Sequence, residues 1–364
     1  PIVYLYEYTY KYTISWYDDH MKNIGIIGAS GYTGAELLRI IAGHPEFNLQ
    51  IATGETQAGS AIRDLYPSLS TAYPNTYFDS FSPEIVDGLD LVFCALPHGV
   101  SQSVIPDIHG TVGHIVDLGS DFRLKDPSLY QEWYGSEHTC PELLNDFVYG
   151  LPELFRDEIE GADLIAATGC NAAAAIFALA PFVQSQTIDS GSMIVDLITG
   201  VSGAGRPPKE NTTFCAVSGN ITPYGLLTHR HTPEIEQALT TFVGDTSSVL
   251  FTPHLAPIDR GIIATCYGRA KSAISTDEAL NQLETFYKEE PFFVVDERPP
   301  STKSTLGANT VHLTARVDER TGMLVSISAL DNLVKGASGM AMQNANLALG
   351  LPESLGIPSL GLYP

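Results

Sequence analysis

One cysteine stands where a reactive thiol is expected. Cys170 follows Gly169 and precedes Asn171 and an alanine-rich stretch that predicts a helix. A thiol at a helix N-terminus lies in the positive end of the helix dipole, which predicts a lowered pKa and more thiolate. The N–H groups at the helix start can stabilise an oxyanion. We therefore predict that Cys170 is a nucleophile for acyl transfer.

The other cysteines are weaker candidates. Cys94 and Cys266 fall within predicted strands, where a buried structural thiol is the usual outcome. The sequence leaves the role of Cys215 open. The five cysteines are scattered without a C-x-x-C pair, which argues against a zinc site and a disulfide framework. We expect no metal.

A reactive thiol needs a group that transfers protons. His229, Arg230 and His231 stand just before a predicted helix that Thr232 and Pro233 would open, because these residue types favour the cap and the first turn. A single histidine is more often structural. Two histidines with an arginine at a helix entrance favour proton transfer and anion binding.

Three arginines are candidates for binding an anionic substrate. Arg206 ends a glycine-rich segment, GVSGAGRP (200–207), which is typical of a flexible loop. Arg260 lies within HLAPIDRG (254–261), and Arg123 lies within DLGSDFRL (117–124). A guanidinium can bind a phosphate or carboxylate in a bidentate manner. An ion pair between domains is an equal alternative for each of them.

A glycine-rich loop indicates a dinucleotide site. The segment GASGYTG (28–34) lies between a predicted strand and a predicted helix. Glycines there permit a tight turn and close approach of backbone N–H groups to a pyrophosphate, next to the positive helix end. A strand–helix turn without a ligand is the alternative. The residues predicted to contact the cofactor are Gly28, Ser30, Gly31, Tyr32 and Thr33.

The end of the second strand normally selects the dinucleotide, with an acid for NAD or an arginine for the 2′-phosphate of NADP. Gly54, Glu55 and Thr56 occupy this segment and are predicted to contact the cofactor. Glu55 stands where a basic residue would favour NADP, and only Arg63 is near in sequence. By itself, this loop favours NAD.

The hydrophobic pattern predicts two domains that would position these residues. Alternating strands and helices predict a doubly wound Rossmann domain over 22–168, completed by 330–364. After Gly169 the strand candidates are separated by longer loops. They predict an α+β catalytic, substrate and oligomerisation domain over 169–329, with a largely antiparallel mixed sheet. Residues 1–21, rich in tyrosine, are expected to be a non-native or extra extension.

Composition excludes several classes of protein. The 364 residues carry a net charge of −23, which disfavours nucleic acid and anionic membranes as partners. No apolar run approaches the ~20 residues that cross a bilayer. The acidity fits adaptation to high salt or ordinary sequence drift equally well.

A series of motifs runs in order from Asn23 onward. They are GASGYTG, LPHG (96–99), DLGSDFRL, YGLPEL (149–154), GC (169–170), GVSGAGR, HRHTPEIEQ (229–237), FTPHLAPIDRGI (251–262) and DNLVKGASGMAMQN (331–344). Together they resemble the N-acetyl-γ-glutamyl-phosphate reductase family of arginine biosynthesis. The resemblance implies a semialdehyde-dehydrogenase-like fold, a cytoplasmic homodimer or homotetramer, and NADP as cofactor.

The resemblance also implies roles for particular residues. Cys170 would be the nucleophile, His229 the general acid/base, and Asn332 would reach the nicotinamide. His231 and Asn171 join the three arginines as substrate-binding candidates. The family usually has Tyr-Pro-Thr after the cysteine, whereas Asn171-Ala172-Ala173 follows here.

This departure resembles an archaeal-type subgroup whose glutamyl or 2-aminoadipyl phosphate is linked to a small acidic amino-group carrier protein, in arginine or lysine biosynthesis. Such a carrier would be repelled by a chain of −23 unless a local basic patch or high salt compensates. An aspartate-semialdehyde dehydrogenase with the same chemistry is the nearest alternative. A non-catalytic dinucleotide sensor is a second one.

Overall fold

The structure is a computed structural model that describes residues 21–363. The predicted N-terminal extension therefore lies outside the described residues, apart from Met21. Within the described range, no helix is long and apolar enough to cross a membrane.

The first sheet has six strands, and every neighbouring pair in it is parallel. Its spatial order is β2-β1-β3-β4-β6-β5. All four residues of β3 and of β6 are buried, as expected for strands that helices cover on both faces. The predicted doubly wound sheet is confirmed. The strands are β1 (Lys22–Ile27), β2 (Phe47–Ala52), β3 (Leu91–Cys94), β4 (His114–Asp117), β5 (Val148–Gly150) and β6 (Leu164–Ala167).

Helices from both ends of the chain cover this sheet. The glycine-rich loop enters the first helix at Tyr32, and the last helix returns to pack against β4, β5 and β6. Its buried face includes Met340 and Met342. The helices of this part are α1 (Tyr32–Ile41), α2 (Ile62–Leu65), α3 (Ser101–Ile108), α4 (Ser128–Tyr134), α5 (Pro152–Ile159) and, after the second sheet, α10 (Gly339–Ala348).

The second sheet has seven strands and mixed direction. Its order is β11-β12-β13-β10-β7-β9-β8, with β11–β12 and β7–β9 parallel and the other pairs antiparallel. This agrees with the predicted largely antiparallel sheet. The strands are β7 (Met193–Gly200), β8 (Thr222–Pro223), β9 (Val249–Ala256), β10 (Ile262–Arg269), β11 (Phe293–Val295), β12 (Val311–Asp318) and β13 (Met323–Leu330).

A long apolar helix fills the space behind the second sheet. Residues Asn171–Val183 of this helix are all buried, so it is apolar around its whole circumference, as a core helix should be. It packs against β10, β13 and α8. The helices here are α6 (Cys170–Gln184), α7 (Phe214–Val217), α8 (His231–Val243) and α9 (Thr276–Phe286), and a π-helical turn spans Val334–Ser338 before α10.

Helix α8 begins earlier than the sequence predicts. Its first residue is His231, its N-cap is Arg230, and no side chain caps it. Thr232 is therefore inside the first turn and not a cap, so the prediction that Thr232-Pro233 opens the helix is wrong by two residues. One histidine of the pair lies on the helix and the other lies before it.

Candidate active site

Cys170 is the first residue of α6, directly beyond the carboxyl end of β6. The residue before it is tightly surrounded. A Cβ atom on Gly169 would lie 2.5 Å from Nε2 of His231 and 2.6 Å from Nη1 of Arg123. A side chain at 169 would displace both groups, so Gly169 allows an imidazole and a guanidinium to lie directly beside the residue before Cys170.

The pKa of Cys170 differs from the sequence expectation. Burial raises the pKa of this thiol to about 11, although the charge of Arg123 acts in the opposite direction. Loss of solvation therefore outweighs the helix dipole. With its pKa raised to about 11, Cys170 is a protonated thiol at neutral pH.

Glu234 organises the site, and the sequence analysis missed it. Its buried carboxylate accepts hydrogen bonds from the Gly169 N–H (2.7 Å) and the Tyr149 hydroxyl (2.9 Å). Its other oxygen accepts from Nη1 of Arg123 at 3.3 Å. The only sequence signal was an acidic residue in the first turn of α8 beside the histidine pair.

Arg123 is buried and fully engaged within the chain. Besides Glu234, it donates to the carbonyl oxygens of Ala167 (2.8 Å) and Leu118 (3.0 Å). Burial opposes its charge, but Glu234 raises the pKa of the guanidinium. The arginine thus lies beside Cys170, yet as part of a buried ion pair that fixes the backbone around the thiol.

Both histidines are neutral at physiological pH. Burial, helped by the charge of Arg230, lowers the pKa of His229 to about 4. Burial lowers the pKa of His231 well below its ordinary value, and its Nδ1 has no hydrogen-bond partner among the described residues. The His231 amide donates to Nδ1 of His229 (3.1 Å). This bond assigns the proton of neutral His229 to Nε2, where the ring can act as a donor.

Asn171 links the thiol to a tyrosine that the sequence analysis did not single out. The Cys170 thiol lies 3.7 Å from Oδ1 of Asn171, and the amide Nδ2 donates to the Tyr224 hydroxyl at 3.0 Å. The Tyr224 ring packs edge-on against His229, with 5.4 Å between ring centroids. Burial, followed by the nearby charge of Cys170, raises the pKa of Tyr224 to about 12, so its phenol stays protonated.

The π-helical turn closes the site from the side of the first sheet. A Cβ atom on Gly336 would lie 2.7 Å from Cβ of Cys170. Next to it, the fully buried Lys335 forms an ion pair with Glu153. Ser338 donates to the carbonyl oxygen of Thr33, so the same turn also contacts the glycine-rich loop. π-helical turns are rare in proteins, and those that do occur are frequently found at functional sites.

Asn332 lies directly before this turn and has both ends of its amide engaged. Its Oδ1 accepts from the Gly261 N–H (2.7 Å), and its Nδ2 donates to Ser202 Oγ (2.9 Å). In this state it joins the GVSGAGR segment to the start of β10. Its predicted contact with nicotinamide stays a prediction.

The glycine-rich loop has the geometry that a dinucleotide needs. Gly28 has φ +88°, and a Cβ atom there would lie 2.5 Å from the Ala95 carbonyl oxygen. A Cβ on Gly34 would lie 2.5 Å from Cα of Ala29, so this glycine allows α1 to pack against the loop. A Cβ on Gly31 would make only an ordinary contact with the Gly28 carbonyl oxygen, at 3.7 Å, and the first turn of α1 contains no acid. These residues, with Ser30, Tyr32 and Thr33, fit a cofactor phosphate.

The segment after β2 lies against this loop. A Cβ on Gly54 would lie 3.0 Å from Cβ of Ser30, and Glu55 and Thr56 are exposed in a short 3₁₀ turn. Arg63 donates to the Pro74 carbonyl oxygen. Thus the segment beside the loop carries an acid, Glu55, as the sequence indicates.

The two remaining arginines connect the two sheets. Arg260 donates to Glu36 on α1 (2.9 Å) and lies 3.7 Å from Asp331, so the structure favours the ion-pair alternative for it. Arg206 donates through Nε to the Ser30 carbonyl oxygen (2.8 Å). It therefore lies at the dinucleotide loop, whereas the sequence suggested a substrate anion.

The architecture defines a class of protein. Residues 23–162 match the model of the semialdehyde dehydrogenase NAD binding domain, and residues 170–332 match the semialdehyde dehydrogenase dimerisation domain. Aspartate semialdehyde dehydrogenase II from Vibrio cholerae superposes with a TM-score of 0.68 at 17% identity, over 91% of this chain and 98% of that one. Aspartate semialdehyde dehydrogenase from Candida albicans, solved with NADP, superposes with a TM-score of 0.63 at 15% identity, over 90% of this chain and 98% of that one. The chain has the semialdehyde dehydrogenase fold.

Relatives with higher identity define the family. The chain is 46% identical to N-acetyl-gamma-glutamyl-phosphate reductase of a Jannaschia species, over 94% of this chain and 99% of the relative. It is 44% identical to the Moorella thermoacetica enzyme of that name and 41% to that of Desulforamulus reducens, covering 94% of this chain and 100% of each relative. The chain belongs to the N-acetyl-gamma-glutamyl-phosphate reductase family.

Proposed function

We propose that this protein reduces N-acetyl-γ-glutamyl phosphate to the corresponding semialdehyde, releasing phosphate, as a step of arginine biosynthesis. The observation that carries the proposal is the surroundings of Cys170. The thiol begins a helix at the carboxyl end of a parallel strand and lies next to a neutral histidine pair, and the π-helical turn that contacts Cys170 also contacts the dinucleotide loop. Ligands of such sheets bind in the crevice at this edge.

Cys170 acts as the nucleophile. Its sulfur attacks the acyl carbon, the C–O bond to phosphate breaks, and the thiol proton passes to the departing phosphate, which gives a thioester and inorganic hydrogen phosphate. Phosphate is a good leaving group, so the chain mainly supplies positioning and stabilisation of the oxyanion. The start of α6 leaves unpaired N–H groups that can donate to the oxyanion, and Glu234 fixes the Gly169 peptide before them.

His229 acts as the general acid/base at the substrate oxygen. Its Nε2–H donates a hydrogen bond to the oxygen as negative charge develops there. After hydride transfer the ring, having taken up one proton from solvent, gives it to the alkoxide as general acid; when the thiohemiacetal collapses, the ring takes this hydroxyl proton as general base and returns it to the departing sulfur. The lowered pKa of His229 keeps the resting ring neutral, so it readily releases a proton that it has taken up. A bound nicotinamide supplies the hydride.

The cofactor is proposed to be NADPH, on the basis of the family resemblance. Glu55 favours NADH, because an acid beside the ribose 2′-OH repels a 2′-phosphate. Initial rates with each cofactor at equal concentration discriminate them. A lower KM for NADH than for NADPH would refute the NADP assignment.

A carrier-linked glutamyl or 2-aminoadipyl phosphate is the second candidate, and the observation that favours it is Asn171 in place of tyrosine. The relatives that are 41–46% identical are named N-acetyl-gamma-glutamyl-phosphate reductase, which supports a free acetylated substrate instead. We therefore propose the free acetylated substrate.

The outer face of the second sheet supports self-association. Leu250, Ile194, Tyr267 and Val325 form one row across four paired strands, and Leu250 and Ile194 are 49% and 36% exposed. Apolar residues in a contiguous row on a sheet face are typical of an interface. We propose that a second copy packs here; Ile194→Asp should yield a monomer in sedimentation analysis, and an unchanged assembly would refute this interface.

The reaction is tested in reverse, with the aldehyde, phosphate and the oxidised cofactor. N-acetylglutamate semialdehyde is compared with carrier-linked glutamate and 2-aminoadipate semialdehydes, each with NADP and NAD. The proposal expects phosphate-dependent reduction of NADP with the acetylated aldehyde. Activity only with a carrier-linked aldehyde would overturn the substrate assignment, and no activity with any of them would overturn the reaction.

A further inference from the structure

Arg206 reaches from the second sheet to the glycine-rich loop of the first. Its Nε donates to the carbonyl oxygen of Ser30 at 2.8 Å, across 176 residues of sequence. The arginine ends the GVSGAGR segment, whose 3₁₀ turn Val201–Ala204 follows directly after β7. One side chain thus connects the catalytic half of the chain to the loop that would bind a cofactor phosphate.

The same carbonyl oxygen has a second donor. The Tyr66 hydroxyl donates to it at 2.7 Å, and burial raises the pKa of Tyr66 to about 12 against the opposing charge of Arg206. The tyrosine is therefore a permanent donor at physiological pH. On the other side of this peptide, the Gly31 N–H donates to the Gly28 carbonyl oxygen at 3.3 Å. The Ser30–Gly31 peptide is held at both its oxygen and its nitrogen.

Most of the guanidinium remains available. Arginine has five N–H donors, and only the Nε donor of Arg206 is used among residues 21–363. The side chain is half-buried. Beside it, the first turn of α1 provides unpaired N–H groups, as every helix start does, and no acid occupies that turn. A cation with free donors therefore lies next to a loop already shaped for a phosphate.

We propose that Arg206 binds the pyrophosphate of the dinucleotide and not the phosphate of the substrate. The contact of Arg206 with Ser30 supports this assignment, because Ser30 belongs to the strand–helix loop, where the pyrophosphate of a Rossmann cofactor lies. A pyrophosphate contact strengthens NADH and NADPH alike, so Arg206 would supply the cationic charge that the segment around Glu55 lacks without selecting between them. The proposal rests on the proposed use of a dinucleotide.

The test measures cofactor binding without turnover. Arg206→Gln removes the charge and keeps an amide donor; Lys209→Gln, three residues further along the same exposed segment, removes the same charge as a matched control. Kd values for NADPH and NADH are measured by titration calorimetry with no substrate present. Arg206→Gln should raise both Kd values about 10- to 100-fold, the range for a lost charge-assisted contact. Lys209→Gln should leave them unchanged.

Kinetics in the reverse direction complete the test. The KM for inorganic phosphate should be the same in Arg206→Gln and in the wild type. An unchanged Kd with a raised phosphate KM would overturn the proposal and return Arg206 to the substrate. A loss confined to NADPH would overturn it in favour of a 2′-phosphate contact.

A second variant keeps the binding test informative if Arg206→Gln does not fold. Arg206→Lys keeps the charge at the phosphate and loses the Nε bond to Ser30, so both Kd values should rise by less than in Arg206→Gln. Equal Kd values for Arg206→Lys and the wild type, together with a folded Arg206→Gln that binds normally, would refute the role. Because binding is measured without substrate, a failure of the proposed reductase reaction leaves this result unaffected.

Discussion

The contact between Gly336 and Cys170 allows a quantitative prediction. Replacing Gly336 by alanine places a Cβ atom 2.7 Å from Cβ and 3.2 Å from Cα of Cys170. Carbon atoms in contact prefer about 3.5–4.0 Å. The π-helical turn and the start of α6 must therefore separate by about 1 Å, because the atoms in conflict belong to backbone or lie next to it and cannot rotate away.

The displacement has a predictable cost. A misplacement of ~1 Å at a reacting group costs about 10²-fold in rate, which corresponds to about 2.7 kcal/mol of activation free energy. Overpacking of this kind costs about 1–3 kcal/mol of stability, so the variant is expected to fold. We predict that Gly336→Ala lowers kcat about 100-fold and leaves the Kd for NADPH within about threefold of the wild type.

The assay needs three measurements on each protein. They are kcat for the reverse reaction, Kd for NADPH by calorimetry, and the midpoint of thermal unfolding. Gly43→Ala is the matched control, because its added Cβ would meet only the Ile40 carbonyl oxygen, at an ordinary 3.7 Å. A kcat for Gly336→Ala equal to that of Gly43→Ala would refute the argument that the π-helical turn positions the thiol.

The remaining predictions concern the groups around the thiol. Cys170→Ser should leave less than a few per cent of turnover while NADPH still binds; higher residual turnover would exclude a covalent thioester. Alkylation of Cys170 by iodoacetamide should accelerate about tenfold per pH unit from pH 7 to 10, because only the thiolate reacts and the pKa is raised to about 11; a plateau below pH 9 would contradict this. His229→Asn should lower kcat by about 10²–10⁴, with His231→Asn as the comparison that shows which ring transfers the proton. Glu234→Gln should lower the free energy of unfolding by about 3–5 kcal/mol in urea titrations, because it leaves the Arg123 guanidinium buried without its counter-charge; a loss below 1 kcal/mol would be inconsistent with that ion pair.

Local sequence patterns were enough to predict the two sheets. Runs of β-branched residues that end in glycine predicted the buried parallel strands, and the alanine-rich stretch after Cys170 predicted α6. These features depend on neighbours along the chain, where side-chain periodicity and glycine conformations act directly. The predicted start of α8 was wrong by two residues, because capping signals are weak compared with the packing that fixes where a helix begins.

Long-range contacts decided the chemistry of the site. The dipole argument predicted a lowered pKa for Cys170, but burial by α8 and the π-helical turn raises it. Glu234 and Tyr224 attracted no attention in the sequence, since their importance arises only from partners 65 and 53 residues away. Such partners are set by how elements pack, which no local pattern encodes.

The three arginines show the same difference between what the sequence identifies and what the tertiary structure decides. The sequence by itself identified Arg123, Arg206 and Arg260 as candidate anion-binding cations, and it identified Cys170 and the dinucleotide loop by residue type and spacing. Only the tertiary structure decided that Arg123 pairs with Glu234, that Arg260 pairs with Glu36, and that Arg206 meets Ser30. The physical reason is that a charge acts through space: its role depends on what burial and folding bring within a few ångströms of it, not on the residues beside it in the chain.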